Sequence, residues 1–251
     1  MANEKVFDQR AGAYDRGRPG YAPEAVQAIL NLVKDGAKAV DIGAGTGIFT
    51  RELLRHDIET YAVEPNAQMR AKLEENLGTE HKLHIVAASA EATGLPTGAF
   101  DLITAASSFH WLDTRIFLQE CRRLLKEDGV VCLLINARDY NDPFTQQQHA
   151  LCQKYCPGFS SLKHGLEKTE AAVQQFFGNR LQRQDFAFPL CYEKEKFIER
   201  SLSSSYAPDP QDPRYGEYRN ELGRLLDVWE RGKHITIKNT SVLFWGKVDR
   251  M

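Results

Sequence analysis

Eight residues, Val40-Asp41-Ile42-Gly43-Ala44-Gly45-Thr46-Gly47, constrain this chain more than any others. Ala39 to Ile42 reads as the end of a short buried strand and Ile48 to Arg55 as a helix, with three glycines at alternate positions between them. A strand that turns through glycines into a helix N-terminus is a nucleotide-binding device. Glycine tolerates the positive φ of the turn, and its missing Cβ lets a ligand approach the backbone. The dinucleotide fingerprint G-x-G-x-x-G needs a glycine three residues after its second. That position is Ile48, and Gly47 comes one residue too soon, so the run is G-x-G-x-G behind an acid.

Around this loop, strand and helix patterns alternate. Pro23 opens a helix with the apolar stripe Val26, Ile29, Leu30 and Val33. Glu59 to Glu64 is a second strand ending in an acid, and Asn66 can cap a helix carrying Met69, Leu73 and Leu77. Leu83 to Ala87 and Phe100 to Ala106 are further strands, Thr114 to Lys126 is an amphipathic helix closed by Gly129, and Val130 to Ile135 is a strand buried on both faces. This is the pattern of a doubly wound α/β fold. Glu64 lies roughly 20 residues beyond the loop, where the hydroxyl face of a ribose would lie if the first two strands are adjacent. Ser107 to Leu112 leaves the carboxyl end of a strand, where open α/β sheets place their chemistry. His110 and Trp111 are therefore expected where a substrate would arrive. The histidine reads either as a base near neutral pH or as a ring orienting the loop.

The alternation stops near Asn136. Helices are expected around Phe144 to Tyr155, Glu167 to Phe177, Glu193 to Ser204 and Tyr215 to Trp229, with strands at Arg180 to Phe188, His234 to Lys238 and Ser241 to Val248. We read one domain: an N-terminal helical lid at 1–35, a cofactor-binding core at 36–136, substrate-cap elements at 137–232 and a closing strand at 233–251. Hydrophobic residues make up 42% and charged residues 26%, ordinary for a globular chain. A net charge of −2 with no lysine-arginine block argues against a nucleic-acid partner. No run approaches the ~20 apolar residues of a membrane span, and none forms a signal core. The five cysteines, at 121, 132, 152, 156 and 191, lack zinc-like pairing, so no metal is expected. Cys121 and Cys132 read as core thiols, and a reduced, cytoplasmic setting as a monomer or homodimer is the expectation.

The acid-G-x-G-x-G run resembles the class I S-adenosylmethionine-dependent methyltransferases. Phe7 to Tyr21 resembles the F-x-x-R-A-x-x-Y-D-x-x-R-P-x-Y opening of small-molecule methyltransferases, where it packs over the cofactor pocket. Ser201 to Tyr206, followed by a final aromatic strand, is similar to trans-aconitate-methyltransferase-like proteins. The resemblance covers residues about 5 to 135 well. It implies a seven-stranded, mostly parallel Rossmann-like sheet with an antiparallel last strand and a helical cap in the C-terminal half. It also implies S-adenosyl-L-methionine as cofactor, S-adenosyl-L-homocysteine as product and a small-molecule methyl acceptor. The implied cofactor residues are Tyr14, Arg18, Tyr21, Asp41, Gly43, Ala44, Gly45, Glu64, Pro65, Ser89, Ala90, Glu91, Ala106 and Trp111. Tyr14, Tyr21 and Trp111 are the aromatic faces a sulfonium would favour. A carboxylate or hydroxyl oxygen is the first expectation for the methylated atom, and Arg18 could hold an acidic substrate or serve the cofactor. Two other classes stay open: a non-catalytic binder of the cofactor or its product, and an NAD-dependent oxidoreductase, against which the missing third fingerprint glycine counts.

Overall fold

The computed structural model describes residues 19–159, 162–204 and 206–248, with the side chains of 162–168 excepted. Of the opening segment singled out in the sequence, residues 7–18, Tyr14 and Arg18 included, therefore lie outside the described residues. Short aliphatic runs take the strands β1 (Lys38–Ile42), β2 (Glu59–Val63), β3 (Leu83–Val86), β4 (Phe100–Ala106) and β5 (Leu125–Arg138). Between them lie the amphipathic helices α1 (Pro23–Leu30), α2 (Ile48–Arg55), α3 (Ala67–Leu77) and α4 (Thr114–Leu124). The second half adds α5 (Pro143–Tyr155), α6 (Leu162–Phe177), β6 (Gln182–Ala187), β7 (Leu190–Tyr192), α7 (Lys194–Leu202), α8 (Arg214–Trp229), β8 (Ile235–Ile237) and β9 (Asn239–Gly246).

The main sheet has seven strands in the order β3-β2-β1-β4-β5-β9-β6. The first five run parallel, and β9 lies antiparallel between β5 and β6. The doubly wound sheet with one reversed strand is thus the fold expected. Alternation along the central strands sorts side chains to its two faces. Ile103, Val131, Leu133 and Phe244 pack with Phe117 and Cys121 of α4 and with Val173 and Phe176 of α6. Leu102, Cys132, Leu134 and Leu243 pack with Val26 and Ile29 of α1 and with Phe49 and Leu53 of α2. Strand order reverses between β1 and β4, and in such sheets ligands bind in the crevice outside the carboxyl ends at that point.

Three expectations change. The helix expected to reach Lys126 and close at Gly129 ends at Leu124, because Leu125 is already extended and pairs with Phe100. Ile235–Ile237 pairs with Leu190–Tyr192 in a separate two-stranded ribbon, not in the main sheet. Within the stretch 137–232, α6 and β6 belong to the main layers. The remaining elements, α5, α7, α8 and the β7-β8 ribbon, gather around a core of their own that includes Phe144, Phe197, Tyr218, Leu222 and Ile237. Among the described residues no helix is long and apolar enough to cross a membrane, and no cluster of His, Cys, Asp or Glu could hold a metal ion.

Candidate functional site

The glycine turn gives its three glycines three different surroundings. All have positive φ: 62° at Gly43, 58° at Gly45 and 88° at Gly47. A Cβ on Gly43 would lie 2.6 Å from Cβ of Ser108, and one on Gly47 would lie 2.7 Å from Cδ1 of Leu77 on α3. A Cβ on Gly45 would meet nothing among the described residues within 4 Å. Gly43 and Gly47 thus let the turn pack against the loop after β4 and against α3, while Gly45 faces the open side. On that side lies a cavity of about 240 Å³ across the carboxyl ends of β3, β2, β1 and β4.

Each strand end contributes. At β2, Glu64 is buried, and its carboxylate accepts from the Gly45 N–H (2.9 Å) and the Asn66 N–H (2.8 Å). The acid is thereby fixed beside the glycine turn with an edge on the cavity. At β1, Asp41 accepts from the hydroxyls of Thr50 (2.6 Å) and Thr104 (2.8 Å) and is almost wholly buried. At β3, Ser89 and Ala92 form a bridge that presents Ala90 and Glu91, and Glu91 accepts from the Asp113 N–H (3.0 Å). At β4, Ser108 donates to the Ile42 carbonyl at 2.6 Å, drawing the following loop onto the glycine turn. A 3₁₀ turn at Phe109–Trp111 then sets Trp111, 42% exposed, at the mouth. At the same end, Tyr21 packs edge-on against Phe49 and donates to the Ser107 hydroxyl at 2.9 Å.

Twelve of the residues implied for the cofactor line this one cavity: Tyr21, Asp41, Gly43, Ala44, Gly45, Glu64, Pro65, Ser89, Ala90, Glu91, Ala106 and Trp111. His110 does not line it. It is exposed, with its ring tilted against Trp111 at 4.8 Å between centroids. The sequence reading missed Thr46, Asn66, Met69, Ser107 and Ser108, which also face the cavity. Asn66 and Met69 were legible only as a helix cap and a core residue, since their position beside Glu64 depends on how β2 meets α3.

Residues 40–133 match a family model described as a methyltransferase domain. Residues 40–133 thus carry a methyltransferase domain. An uncharacterized methyltransferase of Mycobacterium tuberculosis is 32% identical over 137 residues, which cover 53% of this chain and 53% of the relative. An uncharacterized methyltransferase-like protein of Schizosaccharomyces pombe is 29% identical over 165 residues, 63% of each chain. The chain thus spans about half the length of the mycobacterial relative. Among solved structures, a provisional type II methyltransferase from Anaeromyxobacter dehalogenans aligns with a TM-score of 0.69 at 19% identity, covering 92% of this chain and 98% of that one. Phosphoethanolamine N-methyltransferase 2 of Haemonchus contortus, in complex with S-adenosyl-L-methionine, aligns at 0.53 and 14% identity, covering 97% and 57%. These two likenesses concern the fold.

In the cavity wall, the carboxyl group of Asp41 has a raised pKa. Burial pushes Asp41 up to about 6, hydrogen bonds from Thr50 and Thr104 restrain the rise, and the nearby charge of Glu64 adds to it. The folded protein therefore holds this proton more tightly than the unfolded chain, whose value is near 3.8. Stability contributed by the protonated form is complete below the unfolded value, declines as pH rises toward 6 and is level above it. Asp41→Asn should remove roughly 3 kcal/mol of this pH dependence, judged from the shift. Urea unfolding of both proteins between pH 4 and 7 checks it, and parallel profiles would count against a titrating Asp41.

Proposed function

We propose that the protein transfers the methyl group of S-adenosylmethionine to a small-molecule acceptor, at a carboxylate or hydroxyl oxygen. The observation that carries the reading is the cavity itself, which joins the open side of Gly45, the buried acid at the end of β2 and two aromatic rings at the β4 end. The residues present fit this cofactor. Glu64 has carboxylate edges for the ribose hydroxyls, and the Ser89–Glu91 turn offers backbone groups for an adenine. Asp41 and Ala106 flank the amino-acid end, and the rings of Tyr21 and Trp111 suit a positive sulfur. The bound cofactor would supply an already activated methyl group, so the protein's task is to orient an acceptor in line and exclude water.

The cap supports an acidic acceptor. Arg138, at the carboxyl end of β5, is half-buried, donates to the Gln148 side chain and lies over the Phe197 ring at 5.7 Å. Among the described residues it pairs with no carboxylate, an arrangement that suits an incoming anion. Calorimetry with S-adenosylmethionine and with NAD, followed by a screen of small acids using a labelled methyl donor, tests the proposal. Binding of the first ligand and labelling of an acid are expected; NAD binding alone would overturn it. Saturable binding without turnover of any acceptor would instead favour a non-catalytic binder.

Two substitutions separate the roles. Glu64→Ala should weaken S-adenosylmethionine binding by about 1.5–3 kcal/mol, the range for hydrogen bonds to a charged group, and leave adenine binding nearly unchanged. Equal loss for both ligands would show that Glu64 is not the ribose acid. His110→Ala should leave cofactor affinity unchanged, because the ring lines no part of the cavity. With an acceptor in hand, a fall in turnover of roughly 10²–10⁴-fold would make His110 the base. Unchanged turnover would leave it as a ring tilted against Trp111.

A further inference from the structure

Three non-glycine residues among those described have positive φ: Asp57, Ser107 and Lys233. Asp57 and Lys233 stand in exposed turns, where left-handed residues are common, but Ser107 is half-buried and lines the cavity. Its φ is 58°, a conformation that glycine adopts freely and that costs a residue with a Cβ. Glycine would meet the backbone's need at this point, so a serine is held there against its own preference. Outliers of this kind cluster where a site imposes the geometry.

The surrounding bonds hold the conformation in place. The Ser107 N–H donates to the Leu134 carbonyl of β5 at 2.8 Å, and the next residue, Ser108, is tied to β1 through Ile42. The Ser107 hydroxyl then accepts from Tyr21. Tyr21 belongs to a short extended stretch pinned on both sides. The Gly20 carbonyl accepts from Asn136 (2.8 Å), and the Ala22 N–H donates to the Ser241 hydroxyl (3.0 Å). Those two bonds fix the backbone. The bond that Tyr21 donates to Ser107 holds the phenol, and with the edge-on contact to Phe49 it helps set where the Tyr21 ring stands at the β4 end of the cavity.

We propose that Ser107 is a positioning residue for the methyl donor: its left-handed backbone and its hydroxyl together hold the Tyr21 ring against the place where the sulfonium would lie. The inference rests on the reading of the cavity as the S-adenosylmethionine site. It separates the charged donor from its neutral demethylated product, because an aromatic face attracts the sulfonium and not the thioether.

The test compares wild type with Ser107→Gly, Ser107→Ala, Tyr21→Phe and the double variant Tyr21→Phe/Ser107→Ala. Each is melted thermally and titrated calorimetrically with S-adenosylmethionine and with S-adenosylhomocysteine. Ser107→Gly relieves the backbone and should melt at or above the wild-type temperature, yet bind S-adenosylmethionine about tenfold or more weakly. Tyr21→Phe keeps the ring but loses the bond, and should show a similar loss. The double variant should be no worse than the poorer single one, as expected for two residues acting through one contact. In every variant S-adenosylhomocysteine should lose less affinity than S-adenosylmethionine. A purely structural Ser107 would change melting without moving the ratio of the two affinities. S-adenosylmethionine affinity within twofold of wild type in Ser107→Ala, or equal losses for both ligands, would overturn the inference. A wild-type protein that binds neither ligand would sink the reading of the cavity, and the role of Ser107 with it.

Discussion

Gly45→Val is expected to leave a folded protein with S-adenosylmethionine affinity reduced at least about 100-fold, a loss near 2.7 kcal/mol. The side of Gly45 that would receive the new side chain meets no atom of the described residues within 4 Å, so the valine would occupy the cavity and not the core. At a φ of 58° a β-branched residue is strained, which should cost stability about 1–2 kcal/mol. The same turn contains its own control. A side chain at Gly47 would meet Leu77 at 2.7 Å, between α2 and α3, so Gly47→Val should damage the fold itself. Calorimetry and thermal melting of the two variants separate ligand exclusion from unfolding. Full affinity in a folded Gly45→Val would remove the glycine turn from the site.

What the sequence made legible follows from which features are local. The strand-turn-helix at 40–55 could be read directly, because glycines, an acid and a helix start lie within a few residues of one another. Glu64 could be read because a parallel β1-β2 pair brings the ends of the two strands together, here with Ile42 opposite Val63. Tyr21 was implied by a motif, but its partner Ser107 lies 86 residues away, and nothing in a serine announces a left-handed backbone. The β7-β8 ribbon escaped for a similar reason: two three-residue strands carry too little alternation to say which partner they choose. The placement of His110 turned on a short 3₁₀ turn that moves its ring off the cavity and leaves Trp111 at the mouth. Glu120 was the least legible. An acid in a charged, amphipathic helix reads as a solvated residue, yet here it is 7% exposed.

Replacing Glu120 should have the largest effect on stability among the changes considered. One carboxylate oxygen accepts from the Thr93 N–H (3.0 Å), the Thr93 hydroxyl (2.6 Å) and Nη2 of Arg123 (2.7 Å), and the other accepts from Nε of Arg123 (2.8 Å). Arg123 in turn donates to the Leu95 carbonyl at 2.6 Å. The network clamps α4 to the loop that follows the Ser89–Glu91 turn. Glu120→Ala would leave a buried N–H and a guanidinium without their acceptor. Removing one partner of a buried pair costs about 3–5 kcal/mol. Since the Arg123 side chain is 36% exposed and can find water, we expect about 2–4 kcal/mol. Burial by itself would raise the pKa of Glu120, but the bonds from Arg123 and Thr93 outweigh it and hold the carboxyl below its ordinary value of 4.5. This contribution is therefore present above the ordinary value and lost as pH falls through the lower folded one. Its slope is opposite to that of Asp41, and the two act in different ranges, Asp41 up to about pH 6 and Glu120 below 4.5. Urea unfolding from pH 3 to 7 should show Glu120→Gln losing stability at neutral pH and converging on wild type in acid. Glu120→Ala should also bind S-adenosylhomocysteine more weakly, because the clamp that steadies Ala90 and Glu91 is gone. A Glu120→Ala protein within about 0.5 kcal/mol of wild type, the range of ordinary surface changes, would mean the carboxylate is no clamp at all.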